Sequence, residues 1–196
     1  MTAPAKINFK LYQGATFGEV LRWESSNKIY QPIIGIAKSA PLVVTVNAID
    51  IPLGWRVKFT NIVGMTDLNS SDTYHVVTDK TIESITINAV NSLGFKEYIS
   101  GGVVEYNEPI NFSGSTARMQ LRTKLDDPVV IQELTTENGY IVLDNVSKTI
   151  TLNIPAEITA NYTFSTAVYS LEIISNGGQV TPFANGTITL VKEVTR

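Results

Sequence analysis

Tyr30-Gln31-Pro32-Ile33 and Tyr106-Asn107-Glu108-Pro109-Ile110 read as two copies of one strand entrance, and the reading of the fold turns on them. When residues 34–105 are removed, the flanking segments join into a continuous all-β pattern, so a second domain is expected inside the first. A proline at each seam suits a chain leaving and re-entering a sheet edge, where no ladder hydrogen bond is lost. Insertions are tolerated at such exposed sites. The expected division is a discontinuous outer domain, 1–33 plus 106–196, and an inserted domain, 34–105.

Outside the insert, Ile7, Phe9 and Leu11 alternate with Asn8, Lys10 and Tyr12, which buries one face of a first strand before Gln13-Gly14 turns the chain. A second strand is expected over 16–23. Ala117, Met119 and Leu121 alternate with Arg118, Gln120 and Arg122, a half-exposed strand with a basic outer face. Val129, Val130 and Ile131 read as a further strand, and Asn138-Gly139 as a positive-φ turn into 140–143. Residues 144–148 close a hairpin into Ile150, Leu152 and Ile154, and 155–162 holds one helical turn or a plain connection. Ala167, Tyr169, Leu171 and Ile173 give the strongest alternation; Asn176-Gly177-Gly178 turns the chain back, and Asn185-Gly186 precedes a last strand over 187–194. About seven or eight short strands at this spacing indicate an antiparallel β-sandwich.

The insert has its own set. Residues 42–46, 55–59, 74–77, 84–88 and 102–106 supply about five short strands joined by polar turns, which suits a small β-barrel. Its expected core is Val44, Trp55, Val57, Phe59, Val76, Ile85 and Ile87, with Phe95 and Val103.

Composition bounds the chemistry. The 196 residues are 43% hydrophobic, enough for a core in each domain, and no Cys is present. Disulfides, thiolate metal sites and thiol nucleophiles are thereby excluded. A formal charge of -3, with no basic stripe to neutralise phosphates, argues against nucleic acid as a partner. The N-terminus lacks a charged start followed by an apolar core, and no run approaches the roughly 20 apolar residues of a membrane span. The chain is expected to stay in a cytoplasm or assemble there. The Asn-x-Ser/Thr triplets at Asn111, Asn145, Asn161 and Asn185 read as ordinary polar sequence in that setting.

No reaction centre is legible. His75 is the only His, so any Ser-His-Asp device must use it, yet it falls inside a strand pattern between Tyr74 and Val76. Asp67, Asn69, Ser71 and Asp72 alternate oxygen ligands without the Gly and distal Glu of a calcium loop, and read as a polar turn. Asp126-Asp127 are adjacent turn residues whose carboxylates point apart, and Gly101-Gly102 opens a strand rather than a phosphate-binding helix. No catalytic residue, metal or cofactor is expected. The candidates for contact are the basic row Arg118, Arg122 and Lys124, which is a solvated face or meets an acidic neighbour, and the exposed-looking Tyr12, Tyr30, Tyr98 and Tyr106. Trp55 reads as core, while Tyr30 and Tyr106 are equally suited to join the two domains.

The inner stretch carries Gly54-Trp55-Arg56-Val57, Gly64-Met65-Thr66-Asp67-Leu68-Asn69, Tyr74-His75-Val76 and Tyr98-Ile99-Ser100-Gly101-Gly102. It resembles a small β-barrel repeat of bacteriophage virion proteins, one similar to the first catalytic-cysteine half-domain of ubiquitin-activating enzyme. Without a Cys, no thioester chemistry carries over. The outer stretch, with Leu21-Arg22-Trp23, Ser113-Gly114-Ser115-Thr116-Ala117-Arg118-Met119-Gln120-Leu121-Arg122, Tyr169-Ser170-Leu171-Glu172-Ile173 and Gly186-Thr187-Ile188, resembles the immunoglobulin-like domain of phage tail and baseplate accessory proteins.

That resemblance implies an all-β chain, an immunoglobulin-like antiparallel β-sandwich with an inserted small β-barrel. It implies a non-enzymatic virion structural protein of a tailed phage, assembled in the bacterial host cytoplasm and present in several copies. The implied partners are portal or neck, tail, fibre or capsid subunits. The sequence stops at Arg196 without the coiled coil or receptor-binding domain of such proteins, so an adaptor is expected rather than direct host recognition. A capsid decoration protein and a carbohydrate-binding module for host glycan are the alternatives. The 7–12 strand or the last strand is a candidate edge for adding to a partner's sheet, and the length of the arm at 1–6 suits that reach.

Overall fold

The structure, a computed structural model, describes residues 3–70 and 72–193. The first residues of the arm, Ser71 of the polar turn and the end of the last strand at 194 lie outside the described residues. The fold is all-β: a β-sandwich interrupted by a curled, barrel-like insertion. Two compact units result, Met1–Trp23 with Asn111–Arg196 outside and Glu24–Ile110 inside.

The outer unit starts with β1 (Ala5–Lys6), β2 (Phe9–Tyr12) and β3 (Phe17–Arg22). The inner unit follows with β4 (Glu24–Ala37), β5 (Leu42–Val46), β6 (Arg56–Val63), β7 (His75–Val76), β8 (Asp79–Lys80), β9 (Ser84–Ile87) and β10 (Ser100–Pro109). The outer unit resumes with β11 (Thr116–Arg122), β12 (Gln132–Thr135), β13 (Ile141–Asp144), β14 (Thr149–Ile154), the single-turn helix α1 (Ala156–Thr159), β15 (Thr166–Ile174) and β16 (Val180–Val191). No helix among the described residues is long and apolar enough to cross a membrane.

In the outer unit β12, β11, β15 and β16 pair antiparallel, and β1 and β2 run parallel to the far side of β16. A second sheet holds β13, β14 and β3. The alternation read from sequence sets the inward faces: Phe9 and Leu11 on β2, Ala117, Met119 and Leu121 on β11, and Ala167, Tyr169, Leu171 and Ile173 on β15 are buried. Ile150, Leu152 and Ile154 supply the opposing layer from β14. Hydrophobic burial of these faces is the main favourable term.

Two expectations for this unit are corrected. Val129 to Ile131 is not a strand: Val129 is exposed, Asp127 accepts its N–H, and pairing with β11 begins in earnest at Gln132. Asn185-Gly186 does not precede the last strand but lies in the middle of β16, which already begins at Val180, opposite Ser170 and Tyr169. Gly is needed there because the carbonyl of Ile7 occupies the space a Cβ would take.

The inner sheet has the order β7-β6-β10-β4-β5-β9-β8. Its two outermost strands are successive in the chain, separated by Val77 and Thr78. Val77 N–H donates to Trp55 on the β6 side, and Thr78 N–H donates to Thr86 on the β9 side. One short stretch thus stitches both ends of the sheet together and curls it around Trp55, Phe59, Val44, Ile85, Ile87 and Tyr106.

The boundaries expected at 33/34 and 105/106 fall inside β4 and β10, which pair with each other from Glu24 opposite Pro109 to Pro32 opposite Val103. Pro32 is tolerated because β4 pairs with β10 up to that residue and with β5 only from Ile33 onward. At the hand-over one side of the strand needs no N–H. The core also differs by single steps. Val76 is exposed and Val77 buried; Val103 is half-buried and Val104 fully buried. Gly101 and Gly102, at φ 70° and 91°, reset the alternation at the entrance to β10.

Candidate functional site

The chemistry-bearing residues are committed to structure. His75 lies with its ring 5.3 Å from that of Phe59, and burial lowers its pKa below the ordinary value of 6.5. Asp127 accepts from the Thr123 hydroxyl and from Val129 N–H, which holds its carboxyl below the usual range. Asp144 is held down in the same way by the Ser147 hydroxyl and by Val146 N–H, and closes a turn. Asn69, from the segment read as a polar turn, spends its amide on both backbone groups of Ile62. Among the described residues no cluster of His, Asp or Glu is placed to hold a metal ion.

The basic row does not present free charge throughout. Arg118 pairs with Glu172 across β11 and β15 at 2.8 Å. Arg122 donates to the Asp127 carbonyl and to Gln120 Oε1, and Gln120 in turn donates to Glu133. Lys124 is exposed in the following turn. On this face one cation is paired with a carboxylate, and the Arg122 guanidinium is held by neutral acceptors.

The four tyrosines separate. Tyr12 and Tyr30 are exposed, on β2 and β4. Tyr98 is half-buried and donates to the carbonyls of Ile33 and Gly101, so it fixes the approach to β10. Tyr106 is not a surface residue but is 1% exposed in the core of the inner unit. The even-numbered side of β10 points inward, and Tyr106 follows Val104 on it.

Of the stripe along β4, sequence reading picked out Tyr30 and passed over its neighbours. Lys28, Tyr30, Pro32 and Ile34 alternate on its solvent side, with Tyr30 55% and Ile34 70% exposed. Ile34 then lines an open groove of about 470 Å³ together with Ile49, Ile82, Val46, Thr45 and Glu83. Ile49 and Ile82 are 62% and 68% exposed, so the groove is rimmed by uncovered apolar side chains. Beside Tyr30, in cross-strand register through Glu105, stands Lys58. Its ammonium and the Arg56 guanidinium lie 4.4 and 4.6 Å from the centre of the Tyr74 ring. Arg56 is held there by a bidentate pair with Glu24, and Lys28 by Glu105. The signal for this stripe was present in the sequence: it is the opposite phase of the alternation that buries Ile33.

A second concavity, about 460 Å³, belongs to the outer unit and is lined by Thr123, Gln132, Asn161, Thr163, Tyr162 and Phe164 with two isoleucines. It offers neutral amides and hydroxyls beside two aromatic rings whose centres are 5.3 Å apart.

The chain matches no protein-family model, and no curated protein matches it significantly.

Proposed function

We propose that this chain is a non-enzymatic virion structural protein of a tailed bacteriophage, an adaptor used in multiple copies at the neck, tail or baseplate to anchor a neighbouring protein or fibre. The observation that carries the reading is the uncovered stripe Tyr30, Pro32, Ile34, Ile49 and Ile82 on the inner unit. Apolar side chains clustered on a surface mark sites that are covered in an assembly. Tyr and Arg beside them, here Tyr74 and Arg56, match the composition of binding hot spots. The virion context comes from the resemblance in sequence, an analogy of fold rather than of site. The occupant is therefore another particle protein, presenting an apolar face ringed by polar groups.

A reconstruction of the particle that carries this chain tests the reading, paired with incorporation of an Ile34→Asp variant. Expected are density at the neck, tail or baseplate with the β4 stripe covered, and a drop in incorporation of about tenfold or more for a lost buried Ile. Unchanged thermal stability of the variant separates docking from folding. Regular density over the head lattice replaces the adaptor with a capsid decoration protein, and absence from the particle overturns both.

A second reading, a carbohydrate-binding module, is favoured by the neutral, aromatic-edged groove of the outer unit. Titration with neutral host oligosaccharides, followed by amide shifts at Asn161 and Phe164, tests it. No shift at millimolar sugar removes it.

A further inference from the structure

Three Asn-Gly steps occur in the chain, at Asn138, Asn176 and Asn185. An Asn-Gly step is chemically labile because Gly places no side chain in the way of its own N–H. That nitrogen can attack the Asn side-chain carbonyl carbon. A new C–N bond forms, the Cγ–Nδ2 bond breaks, and ammonia leaves with the proton from the glycine nitrogen. Water then opens the cyclic imide at either carbonyl, giving aspartate or isoaspartate. The step needs a free amide side chain, a glycine N–H not held in a ladder, and a backbone able to rotate.

Only one of the three steps combines an amide side chain without a hydrogen bond and a glycine N–H outside the ladder. Asn138 is pinned: its Oδ1 accepts from Thr135 and Tyr140 N–H at 2.9 and 3.1 Å, and its Nδ2 donates to Glu133 at 3.0 Å. Asn185 lies inside β16, between Ser170 on one side and Lys6 on the other, and its carbonyl accepts from Ile7 N–H. Gly186 is closed in by Ile7 and Asn8. Asn176 is exposed in the β15–β16 turn, and its side chain makes no hydrogen bond to a described residue; it lies against Gly114, where a Cβ would come within 2.9 Å of the Asn176 amide carbon. The turn is closed around it by Gly178 N–H to Ser175 and by Ser175 N–H to Gln179, neither of which uses Gly177 N–H. Gly177 is exposed, and only Ser175 Oγ, at 3.8 Å, comes near its Cβ position.

We infer that Asn176-Gly177 is a spontaneous modification site of the folded protein, converting to aspartate and isoaspartate with release of ammonia, while Asn138 and Asn185 are protected by the fold. The product adds a negative charge to the tip of the β15–β16 hairpin, and the isoaspartate form lengthens its backbone by one methylene.

The test is peptide mapping by mass spectrometry after incubation of the intact chain at mildly alkaline pH, with fragmentation to localise each site, beside a sample held unfolded in urea. Expected is conversion at Asn176 at similar rates in both samples. At Asn138 and Asn185 conversion in the folded protein is slower by about tenfold or more, since each must first open locally. Gly177→Ala is expected to slow Asn176 and leave the other two unchanged. Folded-state reaction at Asn138 or Asn185 as fast as at Asn176 overturns the inference, and so does an inert Asn176 in a sample whose unfolded control reacts.

Discussion

The carbonyl of Ile7 sits where a side chain on Gly186 would begin: a Cβ there would come within 2.8 Å of the Ile7 carbonyl carbon and 2.9 Å of Asn8 Oδ1. The close approach lets one edge strand, broken into β1 and β2, lie parallel to β16. Asn8 Oδ1 accepts from Thr187 N–H at 3.0 Å at the break itself. Gly186→Ala is therefore expected to push the first strand off the sheet and cost about 1–3 kcal/mol, the range for overpacking. Hydrogen exchange at the amides of Phe9 to Tyr12 is the measurement, with accelerated exchange expected. Gly18→Ala is the control, since nothing stands within 4 Å of its Cβ position.

The same carbonyl is held from the other side. Tyr169 Oη donates to Ile7 O at 2.8 Å, and burial pushes the Tyr169 phenol up from 10 to about 12. A raised phenol favours the folded state while it is protonated. Stability from this group is present below pH 10 and is lost as pH rises from 10 toward 12. Tyr169→Phe is expected to lower stability by about 1 kcal/mol at neutral pH and to flatten that alkaline decline, both read from denaturant titrations.

Acid acts on the inner unit through His75. Its folded pKa lies below 6.5 because burial against Phe59 opposes the charged form. The unfolded chain then binds the proton first, so stability falls as pH drops below 6.5 and levels off once the folded pKa is passed. His75→Gln is expected to remove this arm of the stability–pH curve. The separate arm below about 3.8, from Asp127 and Asp144 held down by their turn hydrogen bonds, is expected to remain.

Arg118 gives the opposite kind of expectation. Its partner Glu172 is close, but the guanidinium side chain is 52% exposed. Exposed pairs of this type contribute under about 1 kcal/mol. Arg118→Ala is expected to shift the melting temperature barely at all. Thermal denaturation of the variant beside the parent is the measurement that checks it.

Trp55 shows how far pattern alone reached. An aromatic residue inside an apolar alternation was legible as core, and it is fully buried. That its indole Nε1 donates to the Asn107 carbonyl at 2.9 Å, tying β10 to the start of β6, was not, because the two positions are 52 residues apart. Tyr106 shows the converse. Read beside Pro109 it looked like an exposed seam residue, yet positive φ at Gly101 and Gly102 sets the phase of β10 so that Tyr106 points inward.

Local alternation and the glycine and proline breaks were enough to determine an all-β chain with one β module inside another, because side-chain direction in a strand has period 2 and needs no distant partner. Strand ends, the phase of β10, the parallel edge of β16 and the uncovered stripe on β4 were decided only in three dimensions. Each depends on which strand lies alongside: Pro32 is acceptable where β4 changes partner, Gly186 is required where Ile7 arrives, and Ile34 stays exposed because no strand or loop among the described residues covers it.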